Sequence, residues 1–473
     1  MLSTDPVFYL CGGAIFILFY SSRSVLFQTF VLSAGSLAMY ATEGLPFLFL
    51  LLVSSGLTSA SSFLIATTSR RTAKIILVAG IALNLLILGA FKYKHLLFPA
   101  SPPLYSGMLR EFLELALPIG ISFYTFHAIS LLVDTWRTPD VLRHRDNFLR
   151  HCLDTALYLS FFPQLVAGPI TKGKMFFPQM VAKRLSEIPW ADALTNIIVG
   201  MFLKRVIADN LNLLTVQLTD PRFYSGKPQG ELIAMIFGYS AQIFADFAGY
   251  SLIAIGVAKL FGYRLPDNFN QPYLAQSITD FWRRWHMSLS AWLRDYLYIP
   301  LGGNRFGPAR TYLNLLIVMG LGGLWHGADW KFAVWGLWHG GLLAIERLLG
   351  IGEPGRGGWA VLSLVRVPIT FLLVTFGWLL FRLEHLGDLM LLAQEFEHPW
   401  RPLSATSSGR ASVPIIYMLA AVVVLFHLPL RGLRDYGPVK TLVSTTRPYV
   451  LGFLCAVILM ASGSRHAFIY FQF

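Results

Sequence analysis

Residues 44–68 read GLPFLFLLLVSSGLTSASSFLIATT, a run without one charged side chain, and Arg70, Arg71 and Lys74 follow at once. About 20 apolar residues suffice for a helix to cross the hydrocarbon of a bilayer. A basic turn directly after such a run marks a cytoplasmic flank. Outward from this stretch the pattern repeats in both directions. Apolar spans lie near 7–21, 25–41, 75–92, 113–136, 152–168, 190–213, 230–262, 311–326, 330–349, 359–382, 412–430 and 446–463. The sequence thus predicts an all-α polytopic membrane protein with about 11–13 transmembrane or re-entrant helices.

Composition agrees. Of 473 residues, 55% are hydrophobic and 13% charged, against roughly a quarter charged in soluble domains. The net charge of +13 would suggest nucleic acid in a soluble chain. Here the basic residues sit between apolar spans, where they meet an anionic lipid leaflet, so lipid is the expected partner and nucleic acid is not. Cys11, Cys152 and Cys455 are scattered, which gives neither a disulfide framework nor a zinc spacing, and no metal site is expected. The start Met1–Asp5 lacks a basic n-region and no cleavage site follows the first apolar stretch, so that stretch reads as a retained helix.

Orientation follows from two basic clusters. Arg70, Arg71 and Lys74 form one, and Arg137, Arg143, Arg145 and Arg150 form the other. Two candidate helices separate them, so both are assigned to the cytoplasm. Counting back three helices places the N-terminus outside, in the periplasm of a Gram-negative cell, and the proline-bearing loop 93–111 with it. The polar stretch Pro399–Arg410 connects two late helices. No linker splits off a soluble domain, and 1–473 is read as one membrane domain.

Ionisable residues inside membrane segments are costly, so each is a functional candidate. They are densest from Asp246 to Gly340. In the segment 279–298, TDFWRRWHMSLSAWLRDYLY, a single helix would put Trp282, Trp285, Leu289, Trp292, Leu293 and Tyr296 on one face, and Arg283, His286, Ser290 and Arg294 on a neighbouring arc. Two readings of that arc stand: arginines meeting lipid phosphate, or a cationic wall for a phosphorylated cofactor such as coenzyme A. The turn Gly302-Gly303-Asn304-Arg305 adds backbone donors near the same place. In 320–340, GLGGLWHGADWKFAVWGLWHG, two Trp-His-Gly triplets carry His326 and His339. Glycines before His326 permit close approach of a backbone or a substrate, and an imidazole there can take up a proton near neutral pH. His127 and Asp134, two helical turns apart in an earlier span, are assigned to pairing or packing. Asp246 is a buried acid expected to pair with an arginine or to orient a histidine. No phosphate-binding Gly-Lys loop, no Gly-x-Ser-x-Gly elbow and no His-Glu-x-x-His zinc helix occurs.

The run NFNQPYLAQSITDFWRRWHMSLSAWLRDYLYIPLGGNR, followed by a Gly-rich helix ending LWHG, resembles the membrane-bound O-acyltransferase family. LPIGISFYTF, FFPQLVAGPI and DFAGYS are similar to its branch that O-acetylates exopolysaccharides of the alginate and cellulose type. The resemblance spans about 117–349, with 1–116 and 350–473 as flanking helices. It implies helices in a ring around a central tunnel. It implies catalytic histidines at His326 and His286; with the reading of the residues above, Arg283, Arg294, Ser290, Asn304 and Trp325 are the candidates for binding substrate or cofactor, and Asp246 and His339 for support. No permanently bound cofactor is implied, and acetyl-CoA is the expected donor. Expected partners are a periplasmic acetyltransferase and a polysaccharide-synthase complex, at the bacterial inner membrane. Backbone N–H groups of Gly322, Gly323 or Gly327 are candidates for holding an oxyanion. Other functions compatible with the residues are D-alanyl or lipid acyl transfer within the family, and a non-enzymatic acyl transporter.

Overall fold

The structure, a computed structural model, describes residues 6–97, 107, 110, 114–351, 359–402, 407–427 and 437–464. Parts of the predicted loops 93–111 and 399–410 lie outside them. Among the described residues the chain is helical, without strands. Among the described residues four helices are long and apolar enough to cross a membrane: Leu45–Thr67, Arg70–Lys92, Gln229–Leu260 and Leu364–Arg382. Shorter apolar helices include Pro6–Tyr20 and Val25–Ala41. The chain packs as two compact units, one of Met1–Ile197, Ile253–Asp267 and Arg294–Tyr296, the other of Ile198–Leu252, Asn268–Leu293 and Leu297–Phe473.

The first unit holds α1 (Pro6–Tyr20), α2 (Val25–Ala41), α3 (Leu45–Thr67), α4 (Arg70–Lys92), α5 (Ile121–Arg137) and α6 (Phe148–Ser160). Side-chain oxygens of Ser24, Ser69 and Asn147 accept from Phe27, Thr72 and Arg150 N–H groups and so begin α2, α4 and α6. α3 turns its small hydroxyls inward: Ser54, Ser55, Thr58, Ser59 and Ser62 are buried, while Leu45, Phe49 and Leu64 are exposed. Small residues let α4, α5 and α6 approach α3 closely, and the hydroxyls bond across. Ser54 Oγ donates to Asn84 Oδ1 at 3.1 Å, and Ser62 Oγ lies 2.8 Å from His151 Nε2. Arg70 stacks on Trp136, and at the opposite end Lys92 Nζ reaches Ser122 Oγ at 3.3 Å. Thus α4 and α5 run antiparallel, and the two predicted basic clusters meet at one end of them.

The predicted span 152–168 stops at Ser160, because Pro163 follows and the chain turns through buried irregular backbone. Such backbone is stable at membrane depth only where protein satisfies it. Here His127 Nε2 accepts from the Thr171 N–H at 3.3 Å, and Tyr158 Oη donates to the Thr171 carbonyl at 2.7 Å. Asp134 accepts from Tyr296 Oη at 2.8 Å and from the Lys174 N–H at 3.3 Å. Gly120, at φ +77, starts α5; a Cβ there would lie 2.5 Å from the Leu165 carbonyl oxygen.

The helix α7 (Trp190–Met201) continues through a wide π turn, Phe202–Ala208, into α8 (Asp209–Thr215). In the second unit follow α9 (Gln229–Leu260, up to Leu252), α10 (Ile278–Arg284), α11 (Met287–Leu293), α12 (Gly307–His326), α13 (Trp330–Leu348), α14 (Trp359–Arg382), α15 (Asp388–Glu397), α16 (Ser407–Phe426) and α17 (Gly437–Ala461). α12 and α13 form a hairpin with almost no side-chain spacer at its centre. A Cβ on Gly323 would lie 2.1 Å from the Phe332 carbonyl oxygen, and one on Gly336 2.2 Å from that of Met319. The hairpin holds His326 at its turn.

Candidate active site

The segment 279–298 is not one helix. α10 ends at Arg284, His286 takes φ +42, and α11 begins at Met287. A left-handed residue without glycine's freedom needs tertiary bonds to hold it. The chain from Asn268 to Asn270 supplies them. The Asn268 carbonyl accepts from the Met287 N–H at 3.0 Å, and Asn270 N–H donates to the Arg284 carbonyl at 2.9 Å. The Asn268 side chain accepts from Ser288 Oγ at 2.6 Å and donates to Ser251 Oγ at 3.0 Å. A second brace comes from α13, where the Glu346 carboxylate accepts from Ile278 N–H, from Thr279 N–H at 3.0 Å and from Thr279 Oγ1 at 2.9 Å. Asn268, Ser288 and Glu346 were not singled out from the sequence; the signal available was the polar pair flanking Phe269 in NFNQ.

The break aims His286 into an aromatic interior. Its ring is 1% exposed, stands at 89° to Phe247 with centroids 4.6 Å apart, and lies 6.2 Å from Trp325. Neither ring nitrogen of His286 has a hydrogen-bond partner among the described residues. Trp325 in turn stands 4.9 Å from His326, whose ring is enclosed by Trp335 at 5.1 Å and Phe381 at 5.6 Å. His286 and His326 thus flank one tryptophan. His339 is farther along: Trp335 lies 5.0 Å away, Trp282 5.3 Å, and Phe281 stacks at 6.1 Å. It is fully buried in that packing, against Gly377.

The break also dissolves the predicted arc. Arg283 belongs to α10, before His286, and lines a cleft of about 300 Å³ with Ser277, Thr279, Glu346 and Arg347. Ser290 turns its hydroxyl back to the Trp285 carbonyl at 3.4 Å. Arg294 starts a π turn, is largely exposed, and donates to Asp295 Oδ1 at 2.8 Å within the first unit; Lys172 also grips that carboxylate, at 2.5 Å. Asn304 is exposed in its turn, which Asn314 pins by donating to the Gly303 carbonyl at 2.9 Å. Asp246 pairs with a lysine: Lys204 Nζ lies 2.5 Å from its Oδ1 and 2.9 Å from Asp209 Oδ1, and Arg205 bonds Asp209 from the other side. Gly322 and Gly323 lie inside α12, whose ladder uses their N–H groups, so neither can hold an oxyanion. No His, Cys, Asp or Glu cluster able to hold a metal occurs among the described residues.

A buried imidazole thus lies at the turn of a glycine-closed hairpin in a membrane chain that is helical throughout its described residues. The family model for the membrane-bound O-acyltransferases matches residues 77–350, and the chain belongs to that family. It is 38% identical to a probable alginate O-acetylase of Pseudomonas aeruginosa over 82% of this chain and 73% of the relative. It is 35% identical to a peptidoglycan O-acetyltransferase of Helicobacter pylori, over 78% and 74% respectively. To a teichoic acid D-alanyltransferase of Bacillus subtilis it is 30% identical, over 56% and 68%. The chain is a multi-pass membrane O-acyltransferase.

Proposed function

We propose that this enzyme takes an acetyl group from a cytosolic thioester and passes it to the far side of the bacterial inner membrane for O-acetylation of a secreted polysaccharide, of the alginate or cellulose type. The observation that carries the reading is the placement of His326: buried in an aromatic cage, across Trp325 from His286, at the turn of the α12–α13 hairpin. Arg305, Arg310 and Arg347 at the hairpin's other end support assigning that end to the cytosol. The higher similarity to O-acetylating relatives favours acetyl over D-alanyl.

In the step proposed, His326 takes the proton of an acceptor hydroxyl as its oxygen bonds to the thioester carbonyl carbon. The tetrahedral intermediate collapses, the C–S bond breaks, and the proton returns to the departing thiolate. Acetyl-CoA is the donor we infer. Its pantetheine arm is slender enough to reach inward from a head held at the cytosolic end, and Arg283 beside Arg347 suits the head's phosphates. His286 would assist across Trp325. The acceptor is a sugar hydroxyl, or the serine of a periplasmic acetyltransferase that works beside the polysaccharide synthase.

General-base catalysis contributes about 10²–10⁴ in rate. His326→Ala, expressed in a deletion strain at parental membrane level, should therefore abolish ester-linked acetate on the secreted polymer. Near-parental acetate would remove His326 from the role and leave His286 as the leading base.

A further inference from the structure

Arg382 closes α14 at the His326 end of the hairpin. Phe381, the residue before it, packs on His326 and on Phe332, and Lys331 Nζ donates to the Leu383 carbonyl at 2.9 Å. Arg382 is 3% exposed, and its guanidinium lies 5.0 Å over the ring of Tyr239. That stacking covers one face and leaves an edge. The Nε and Nη2 atoms form the side-on fork of the guanidinium, and both are buried without a hydrogen-bond partner among the described residues. So is the hydroxyl of Tyr239, which is itself fully buried.

A guanidinium cannot shed its charge, and a buried one without an anion is costly. Elsewhere in the second unit the chain provides the counter-charge: Lys204 and Arg205 have Asp209 and Asp246. Arg382 is given a tyrosine ring instead, with the fork that fits a pair of oxyanion oxygens left open.

We propose that Arg382, with the Tyr239 hydroxyl, binds a carboxylate or phosphate carried by the acyl acceptor and so positions the acceptor beside His326. The proposal deepens the acyl-transfer reading, and it makes a charged acceptor the preferred one. A bidentate pair fixes orientation as well as affinity, which is what a hydroxyl must have before a base can use it.

The test is ligand-induced stabilisation of the purified protein in detergent, with an oligouronate as the carboxylate probe, glycerol phosphate as the phosphate probe and a cello-oligosaccharide as the neutral control. At about ten times its dissociation constant a charged probe should raise the thermal midpoint by about 1–2 °C. The rise should persist in His326→Ala, vanish in Arg382→Met and shrink in Arg382→Lys, which keeps the charge but loses the fork. Which charged probe acts identifies the acceptor's anion. A neutral probe that stabilises as well as either charged one, an undiminished rise in Arg382→Met, or no rise with either charged probe overturns the proposal. Binding in His326→Ala is independent of turnover, so loss of the transferase reading alone would leave this result standing.

Discussion

Asn268 holds Ser288 twice, through Oδ1 to the hydroxyl at 2.6 Å and to the backbone N–H at 3.4 Å, and so fixes the chain just beyond the left-handed His286. A left-handed residue other than glycine costs roughly 1–2 kcal/mol, and the clasp offsets it. Asn268→Leu keeps the volume and removes the bonds. It should lower polymer acetate about tenfold or more at matched membrane levels, since small misplacements at a reacting centre are costly. Asn268→Asp keeps the acceptor oxygen and should recover part of the loss. Parental acetate from Asn268→Leu would mean that the backbone bonds alone hold His286.

The buried ion cluster makes a prediction about stability. Asp246→Ala removes the closer of the two carboxylates that Lys204 is seen to touch and leaves Lys204 and Arg205 both on Asp209. Breaking a buried pair costs about 3–5 kcal/mol, whereas replacing both partners by apolar residues is often neutral. Thermal unfolding in detergent should show a large drop for Asp246→Ala and recovery in the double variant Lys204→Met/Asp246→Leu. An Asp246→Ala protein that melts with the parent would show Lys204 to be hydrated.

Two glycines separate packing from mere occurrence. Gly323→Ala forces a methyl against the Phe332 carbonyl oxygen and should cost about 1–3 kcal/mol, with lower yield of folded protein. Gly341, one helix over, has nothing within 4 Å of a would-be Cβ. Gly341→Ala should be neutral or stabilising by up to about 1 kcal/mol. Equal melting of the two would deny the hairpin its close approach.

Topology is tested in a cysteine-free background, where Cys11, Cys152 and Cys455 are all replaced. None of the three is in a disulfide. Thr42→Cys and Thr138→Cys are both at exposed positions. An impermeant maleimide added to intact spheroplasts should label residue 42 and spare residue 138 until the membrane is opened. Labelling of both from the same side would sink the outside N-terminus.

Helix positions were legible because lipid imposes length and composition directly: α1 to α5 begin and end within a few residues of the apolar runs, except where α5 starts late, at Ile121. His326 and His286 were legible as ionisable residues out of place. The arc was not. Histidine does not end helices by propensity, and the bonds that turn the chain at His286 come from Asn268 and Asn270, which lie outside the wheel, and from Glu346 on α13. The partner of Asp246 was missed for a related reason. Lys204, Arg205 and Asp209 stood in plain view within the predicted span 190–213, but which residues face one another across two helices is decided by packing. Arg382 sat at the end of a span, where a basic residue reads as an ordinary interfacial anchor, and its place against Tyr239 of α9 is set by packing.

The order of synthesis gives the broken segment at His286 a further meaning. Its two short helices emerge from the ribosome before the α12–α13 hairpin that encloses them, and seven residues each are too few to cross lipid or persist as free helices. Until Glu346 reaches the Ile278 and Thr279 amides and Trp335 closes on Trp282, their backbone has no stable shelter. The hairpin needs no such help, since its glycines close it on itself. A chain truncated before residue 346 would lack the Glu346 carboxylate that holds the Ile278 and Thr279 amides, and the His286 segment would have lost that brace.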